Sequence, residues 1–366
     1  MQKPRSQADY VLIACFAILI IFGLLMLTSA SAPVGYERFG DRFYFVKRQL
    51  IIGLLPGILA FIIASKLSYR QLKIIALPAY ILSIILLILV FVPGIGSSLN
   101  TGNHSWLVIG SYSLQPSEFA KVALILMLSL LLFKQEEAVR TARGFMTALA
   151  VGLIPLGIIF LQKDIGTASI IFLILFGLLF AAGARLTHLS LFAAVAVMAF
   201  ALMIAIAPYR KARFTTFLHP ELDPQGIGYQ INQAFLAIGS GGWLGLGLGR
   251  SRQKFEYLPE VQADSIFAIM AEEMGFIITS LFIIFLVYAC YRLLGLAKKS
   301  PDAFGRLLVA GVAIWFLGQS FLNIGAMLGL IPLTGIPLPF ISHGGTALLV
   351  GLAAVGLIAN MSKSAG

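Results

Sequence analysis

Charged residues are scarce in this chain. Asp, Glu, Lys and Arg together make up 11% of it, less than half of the ~25% usual in soluble domains. That scarcity excludes a soluble globular protein. It also excludes a disordered chain, which stays unfolded by being polar and charged, and a nucleic-acid binder built on a basic surface. Cysteine is nearly absent: Cys15 and Cys290 both sit inside apolar runs. There they read as small buried hydrophobes and not as a disulfide framework. A phosphate-binding loop, a paired-cysteine metal site and a nucleophile elbow are missing as well. The glycines at 241–249 do not open a helix after a strand, so they make no dinucleotide-binding fingerprint.

What fills the chain is apolar sequence, 59% of 366 residues before its 36 glycines are counted. A membrane-spanning helix needs about 20 such residues. Apolar runs at 10–31, 49–65, 71–93, 117–133, 144–161, 167–183, 187–208, 265–291, 306–330 and 345–361 predict ten helices. The fold class expected is an all-α polytopic membrane protein, a single transmembrane domain over residues 1–366. The first run lacks a small-residue cleavage site and reads as a retained helix.

The net charge of +11 is sorted along the chain. With the N-terminus in the cytoplasm, fourteen Lys and Arg fall on inside segments and five on the short outside ones. Six more lie in the long segment 209–264, including Arg213, Arg250, Arg252 and Lys254, and Lys121 lies within a helix. Cytoplasmic loops carry the excess of Lys and Arg, so ten spans with both termini cytoplasmic is the consistent topology. The segment 209–264 then joins helices seven and eight on the outer face. It is longer than a simple connection and carries Gly-Gly pairs, aromatics and both signs of charge. An ordered functional loop is expected there.

Ionisable groups inside a span are costly in lipid and point to function. Four places qualify. Gln115-Pro116-Ser117-Glu118-Phe119-Ala120-Lys121 opens the fourth helix. Pro116 suits its first turn, and Glu118 and Lys121 share a face and can neutralise each other. They make either a structural ion pair or a charged cavity wall. Gln162-Lys163-Asp164-Ile165-Gly166-Thr167 is an outer turn, in which Asp164 either caps helix six or binds a metal or a sugar.

The third place is the outer loop and its exit, Tyr257-Leu258-Pro259-Glu260-Val261-Gln262-Ala263-Asp264. Its glycines permit close backbone approach to a ligand, and its arginines suit bidentate phosphate contact. Asp264, partly removed from water where the chain re-enters the membrane, gains the raised pKa of a general base. It is equally placed to cap helix eight. Glu272 and Glu273 follow inside that helix. Adjacent positions diverge by about 100°, so only one of them can face a given partner, and one is expected to pair with Lys121. The fourth place is Gly335 to Gly345, whose two prolines and Gly-Gly pair make a rigid, broken backbone. Such backbone survives at membrane depth only when buried in protein or lining a cavity, with Ser342 and His343 facing it.

At these residues the sequence resembles the SEDS family of polytopic peptidoglycan glycosyltransferases, typified by FtsW and RodA. The resemblance covers nearly the whole chain. It rests on Thr28 to Ser31, Gln115 to Lys121, Gln162 to Ala168, Gly228-Tyr229-Gln230 with Gln233, and Leu258 to Asp264 with Ile266 to Ala268. It continues through Glu272 to Gly275, Asn323 to Gly325 and Pro337 to Gly345. It implies polymerisation of lipid II, the undecaprenyl-pyrophosphate-linked disaccharide-pentapeptide, in the cytoplasmic (inner) membrane. It also implies a class B penicillin-binding protein as partner, together with other division or elongation proteins. Nucleic acid and organic cofactors have no part in it. Asp264 matches the family's essential carboxylate. Glu118 and Lys121 match its polar cavity pair, and Asp164 matches the acidic residue of its Gln-Pro-Asp turn. Arg213, Gln233, Lys254 and Ser342 are the further residues expected to touch substrate. A divalent cation, Mg or Mn, is compatible, with Asp264 and Asp164 as its ligands.

The chain departs from the family pattern at Gln262, Ala263, Ser265, Lys163, Ser105 and His343, while the carboxylates are kept. Phe45 to Gln49 and Thr334 to Ser342 resemble the division-type branch more than the elongation-type one. Two other readings compete: a lipid II transporter or flippase, and a non-catalytic scaffold for the penicillin-binding protein. Transporters are often built from inverted repeats, and the sequence shows no internal symmetry.

Overall fold

A computed structural model of the chain describes residues 9–97, 105–110, 112–206, 214–219, 226–255 and 257–364. Its helices are α1 (Tyr10–Phe39), α2 (Tyr44–Lys66), α3 (Tyr69–Leu89), α4 (Pro116–Gln135), α5 (Ala142–Leu161), α6 (Ile165–Ala181) and α7 (Leu186–Ile206). After these come α8 (Ile227–Ser240), α9 (Ile266–Lys299), α10 (Ala303–Met327) and α11 (Gly345–Ser364). Eight are long and apolar enough to cross a membrane, and α6 and Leu186–Leu202 of α7 are shorter apolar helices. Every apolar run of the sequence carries a helix, and the architecture is that of a polytopic membrane protein. Cys15 and Cys290 are buried free thiols.

Side-chain caps set several helix starts. Asp9, Thr141 and Asp302 accept from the backbone amides of Leu12, Gly144 and Gly305, and Ser68 and Gln71 form a capping box. Each satisfies N–H groups that a helix start leaves open. The buried centre is made by α4, α10 and α11, whereas α2 and α3 stay largely exposed at the rim. Phe16 of α1, Phe316 of α10 and Phe340 form a three-ring cluster with centroids 5.0–5.6 Å apart.

Two features differ from the all-helical expectation. Between α3 and α4 the chain forms a small antiparallel sheet of β1 (Gly96–Ser97), β2 (Trp106–Ile109) and β3 (Tyr112–Leu114). Gly110, at φ 62, turns the chain between β2 and β3, in a left-handed conformation open to glycine. The sequence run for α1 stops at 31, yet the helix continues to Phe39.

The largest irregularity is in α9. Gly275 has φ 73 and ψ 179 and splits the helix into an upper part, 266–274, and a longer lower part. The 241–249 stretch of the loop before α9 repairs the break. Leu246 N–H donates to Glu272 O (3.0 Å) and Gly247 N–H to Glu273 O (3.0 Å), while Phe276 and Ile277 N–H donate to Gly242 O (2.8 Å) and Trp243 O (3.2 Å). In a membrane protein such freed backbone groups must be satisfied internally. A Cβ on Gly275 would lie 2.2 Å from Gly245 N. Gly241 and Gly245 therefore approach the chain's own broken helix.

Candidate functional site

Residues 328–344 run between α10 and α11 without helical structure. Ile336, Leu338, Ile341 and Ser342 are all buried, so this irregular backbone passes through protein, as its prolines and glycines demand. Gly166 at the start of α6 packs against it, since a Cβ there would meet Thr334 O at 2.5 Å. Two polar clusters form against this segment.

The first cluster surrounds Lys121, which is 0% exposed. Its Nζ lies 2.8 Å from both oxygens of Glu118 and donates to Oε1. It also donates to Gln319 Oε1 (2.9 Å), which accepts from Trp315 Nε1 as well (2.7 Å), and the Trp315 ring centroid is 4.7 Å from Nζ. Gln319 Nε2 donates to Pro337 O (2.8 Å), tying the cluster to the 328–344 segment. Asp164 caps α6 by accepting from Thr167 N (2.9 Å) and Thr167 Oγ1 (2.8 Å). Burial raises its pKa, against the pull of those hydrogen bonds, of the Lys121 charge and of Gln115. Glu118, Lys121 and Asp164 thus belong to one electrostatic neighbourhood.

The second cluster surrounds Asp264, 9% exposed. Burial pushes its carboxyl up to about 7, helped by the charge of Glu260 and opposed by hydrogen bonds from Gln230 and Ser265. Its Oδ1 has no hydrogen-bond partner. Ser265, not Asp264, precedes α9, and no side chain caps that helix. Asn323 Nδ2 donates to Asp264 O and to Ile336 O, both at 2.8 Å. One amide thus holds the backbone of the acid and that of the 328–344 segment together. His343 N–H donates to Gln262 O (2.8 Å), a second tie. Gln49 spans the far side, donating to Ser342 O (3.3 Å) and accepting from Gly344 N–H (2.9 Å). Ser342 Oγ accepts from Leu338 N–H (2.8 Å) and so shapes its own loop. Burial, with the Arg48 charge, lowers His343 to about 4, so its ring is neutral near pH 7 and packs edge-on against Phe45.

The basic and acidic residues around α9 pair differently from the expectation. Neither Glu272 nor Glu273 contacts Lys121. Glu273 Oε1 pairs with Lys254 Nζ (2.7 Å) and its carboxylate accepts from Ser29 Oγ of α1 (2.7–2.8 Å), while Lys254 Nζ also donates to Ser29 Oγ (3.1 Å). Glu272 accepts from Ser251 Oγ (2.5 Å), Arg252 N–H (2.9 Å) and Gln253 N–H (3.4 Å). Both carboxylates serve the 251–254 turn because that turn wraps the helix start. The 100° divergence therefore does not separate their partners. Lys254, only 4% exposed, is committed to this internal pair.

The structure thus joins Glu118, Lys121 and Asp164 in one cluster and Asp264 with Gln230 in another, with Ser342 in the segment between them. Gln233 is half-buried on α8, one turn after Gln230. Arg213 lies outside the described residues. Gln319 and Trp315 were missed by sequence reasoning. The available signal was a lone glutamine in an apolar helix, because a buried amide has to find partners.

The family profile described as a cell cycle protein, covering FtsW, RodA and SpoVE, matches residues 9–366. The stage V sporulation protein E of Bacillus subtilis is 38% identical over 99% of both chains. The probable peptidoglycan glycosyltransferase FtsW of Trichlorobacter lovleyi is 37% identical over 99% of this chain and 95% of its own. Among solved structures, a peptidoglycan synthase complex that coordinates polymerization and crosslinking matches with TM-score 0.80, 28% identity and 98% of each chain. The rod shape determining protein RodA of Thermus thermophilus matches with TM-score 0.71, 29% identity, 97% of this chain and 96% of its own. By the extent of that profile match and the identity to these relatives, the chain belongs to the FtsW/RodA/SpoVE family of cell cycle proteins.

Proposed function

We propose that the chain polymerises lipid II into peptidoglycan glycan strands at the outer face of the cytoplasmic membrane. The observation that carries this reading is Asp264: a buried carboxylate, one oxygen unpartnered, with a pKa of about 7. A base poised at the working pH takes a proton most effectively. Asp264 removes the proton from the sugar 4-hydroxyl of one lipid-linked unit. That oxygen forms a bond to the anomeric carbon of the other, and the bond from that carbon to the polyprenyl pyrophosphate breaks. Direct displacement inverts the anomeric centre. Asn323 holds the base in place, while the Glu118, Lys121 and Asp164 cluster supplies the polar wall across the 328–344 segment.

Among the described residues no three or more His, Cys, Asp or Glu gather as ligands. A cation accompanying the pyrophosphate would show as dependence of polymerisation on added Mg or Mn. The named relatives support the glycosyltransferase reading. FtsW relatives at 36–37% identity support a division-type role over an elongation-type one. The synthase complex supports a crosslinking partner, a class B penicillin-binding protein.

The test is lipid II polymerisation by the purified protein with its partner. Wild type forms glycan polymer, and folded Asp264→Asn forms none. Wild-type rates from Asp264→Asn end the catalytic assignment. Labelled lipid II crossing a vesicle membrane without polymer would establish the transporter reading in its place.

A further inference from the structure

The outer loop exposes large apolar side chains that take no part in the site. Trp243 and Leu244, in the glycine-rich hook, are 71% and 80% exposed, and Leu248 follows them. Their depth can be worked out. Below the Gly275 break, α9 runs from Phe276 to Lys299, about 36 Å at 1.5 Å per residue. That length fills a hydrocarbon core of about 30 Å and reaches into both interfaces. Lys298, Lys299 and, further in, Arg292 with its partner Asp9 mark one end, and Phe276, 16 residues or about 24 Å beyond Arg292, lies near the opposite boundary of the core.

The hook is fastened to that boundary. The Trp243 ring stands edge-on to Phe276 with centroids 5.2 Å apart, and Gly242 O and Trp243 O accept from Phe276 and Ile277 N–H. Phe276, Ile277, Leu281 and Ile284 are exposed, which in this architecture is the lipid-facing side. Trp243 continues that surface upward. Arg250 and Arg252, also exposed, border a cleft of roughly 550 Å³ with Phe255 and Tyr257.

We propose that the 241–249 hook is an interfacial membrane anchor, with Trp243 and Leu244 seated among outer-leaflet phospholipids at headgroup level. Tryptophan is enriched at that depth because its ring is amphipathic. Arginine beside it keeps its charge in the headgroup layer while its stem covers apolar surface. The proposal commits to lipid because the exposed ring is continuous with a transmembrane surface and fixed to it by backbone hydrogen bonds. Through those bonds the anchor also bears on the upper part of α9, which follows Asp264.

The experiment is depth-dependent quenching of Trp243 fluorescence in nanodiscs, isolated by subtracting the Trp243→Phe variant. Phospholipids brominated just below the glycerol are expected to quench it strongly. Those brominated near the chain ends should quench it weakly, and aqueous iodide hardly at all. Moving the probe with Leu244→Trp in the Trp243→Phe background should give the same order. Quenching by iodide with indifference to brominated lipid overturns the proposal, and so does stronger quenching from the chain ends. Loss of the lipid quenching when the protein partner binds would make the surface a protein contact, which overturns it as well.

Discussion

Replacing Asp264 with Asn should stabilise the protein while silencing it, and the gain should depend on pH in a defined direction. The fold raises the Asp264 pKa from 3.8 to about 7, so the native state disfavours the ionised carboxylate. A tenfold change in proton affinity corresponds to about 1.36 kcal/mol. At about pH 8, where the carboxylate is ionised both folded and unfolded, burying it therefore costs about 4 kcal/mol. The sign follows from proton binding. Between about pH 4 and 7 the folded state holds a proton that the unfolded state has lost, so wild-type stability falls as pH rises through that window. Asparagine is neutral throughout and keeps the backbone carbonyl that Asn323 uses. Unfolding of Asp264→Asn against wild type, in detergent, should therefore show a gain of up to about 4 kcal/mol at about pH 8. At about pH 5 less than half of it should remain. A variant less stable than wild type at the higher pH, or a gain that is flat across pH, refutes the claim that burial holds this carboxylate at a cost. Wild-type polymerisation should in turn fall as pH drops below about 7, where the base is protonated.

Lys254→Met should cost about 3–5 kcal/mol, because it leaves the Glu273 carboxylate buried without its cation. Pairing it with Glu273→Gln should restore most of that loss in a double-mutant cycle, whereas a surface lysine would show neither effect. Gly275→Ala should prevent normal folding or strongly lower the unfolding temperature, because φ 73 disfavours a side chain and the added Cβ meets backbone at 2.2 Å. Gly157→Ala, which meets nothing within 4 Å, is the control that should leave it nearly unchanged. Asn323→Ala should cost about 1–3 kcal/mol for two buried carbonyls that lose a donor and should lower kcat more than it raises KM. An unchanged kcat would leave Asn323 a purely structural tie.

Helix positions were legible because apolar runs are long and local. The Asp164 cap and the Glu118–Lys121 pair were legible for the same reason, each being set by residues three apart in one helix. The partners of Glu272 and Glu273 were not. Periodicity gives a residue's direction on its own helix and says nothing about which distant segment lies there, and the 251–254 turn is brought in by the fold. The break at Gly275 was hidden because a single glycine in an apolar run is compatible with an unbroken helix. Its repair by residues 241–249 needs a contact some thirty residues away, so those glycines read as ligand-facing. Gln319 and Trp315 were masked by the apolar sequence around them, although they complete the shell around Lys121.

The sealed break in α9 also bears on how this protein can be recombined with its relatives. The hook and the helix exchange four backbone hydrogen bonds whose fit depends on Gly245 and Gly275 both lacking a side chain. A chimera that imports a relative's loop before α9 but ends its insert between residues 250 and 275 puts one half of that fit against a stranger. Crossovers placed before 241 and after 277 keep the unit intact, and they transfer the loop, the Glu272 and Glu273 staples and Asp264 as one heritable block.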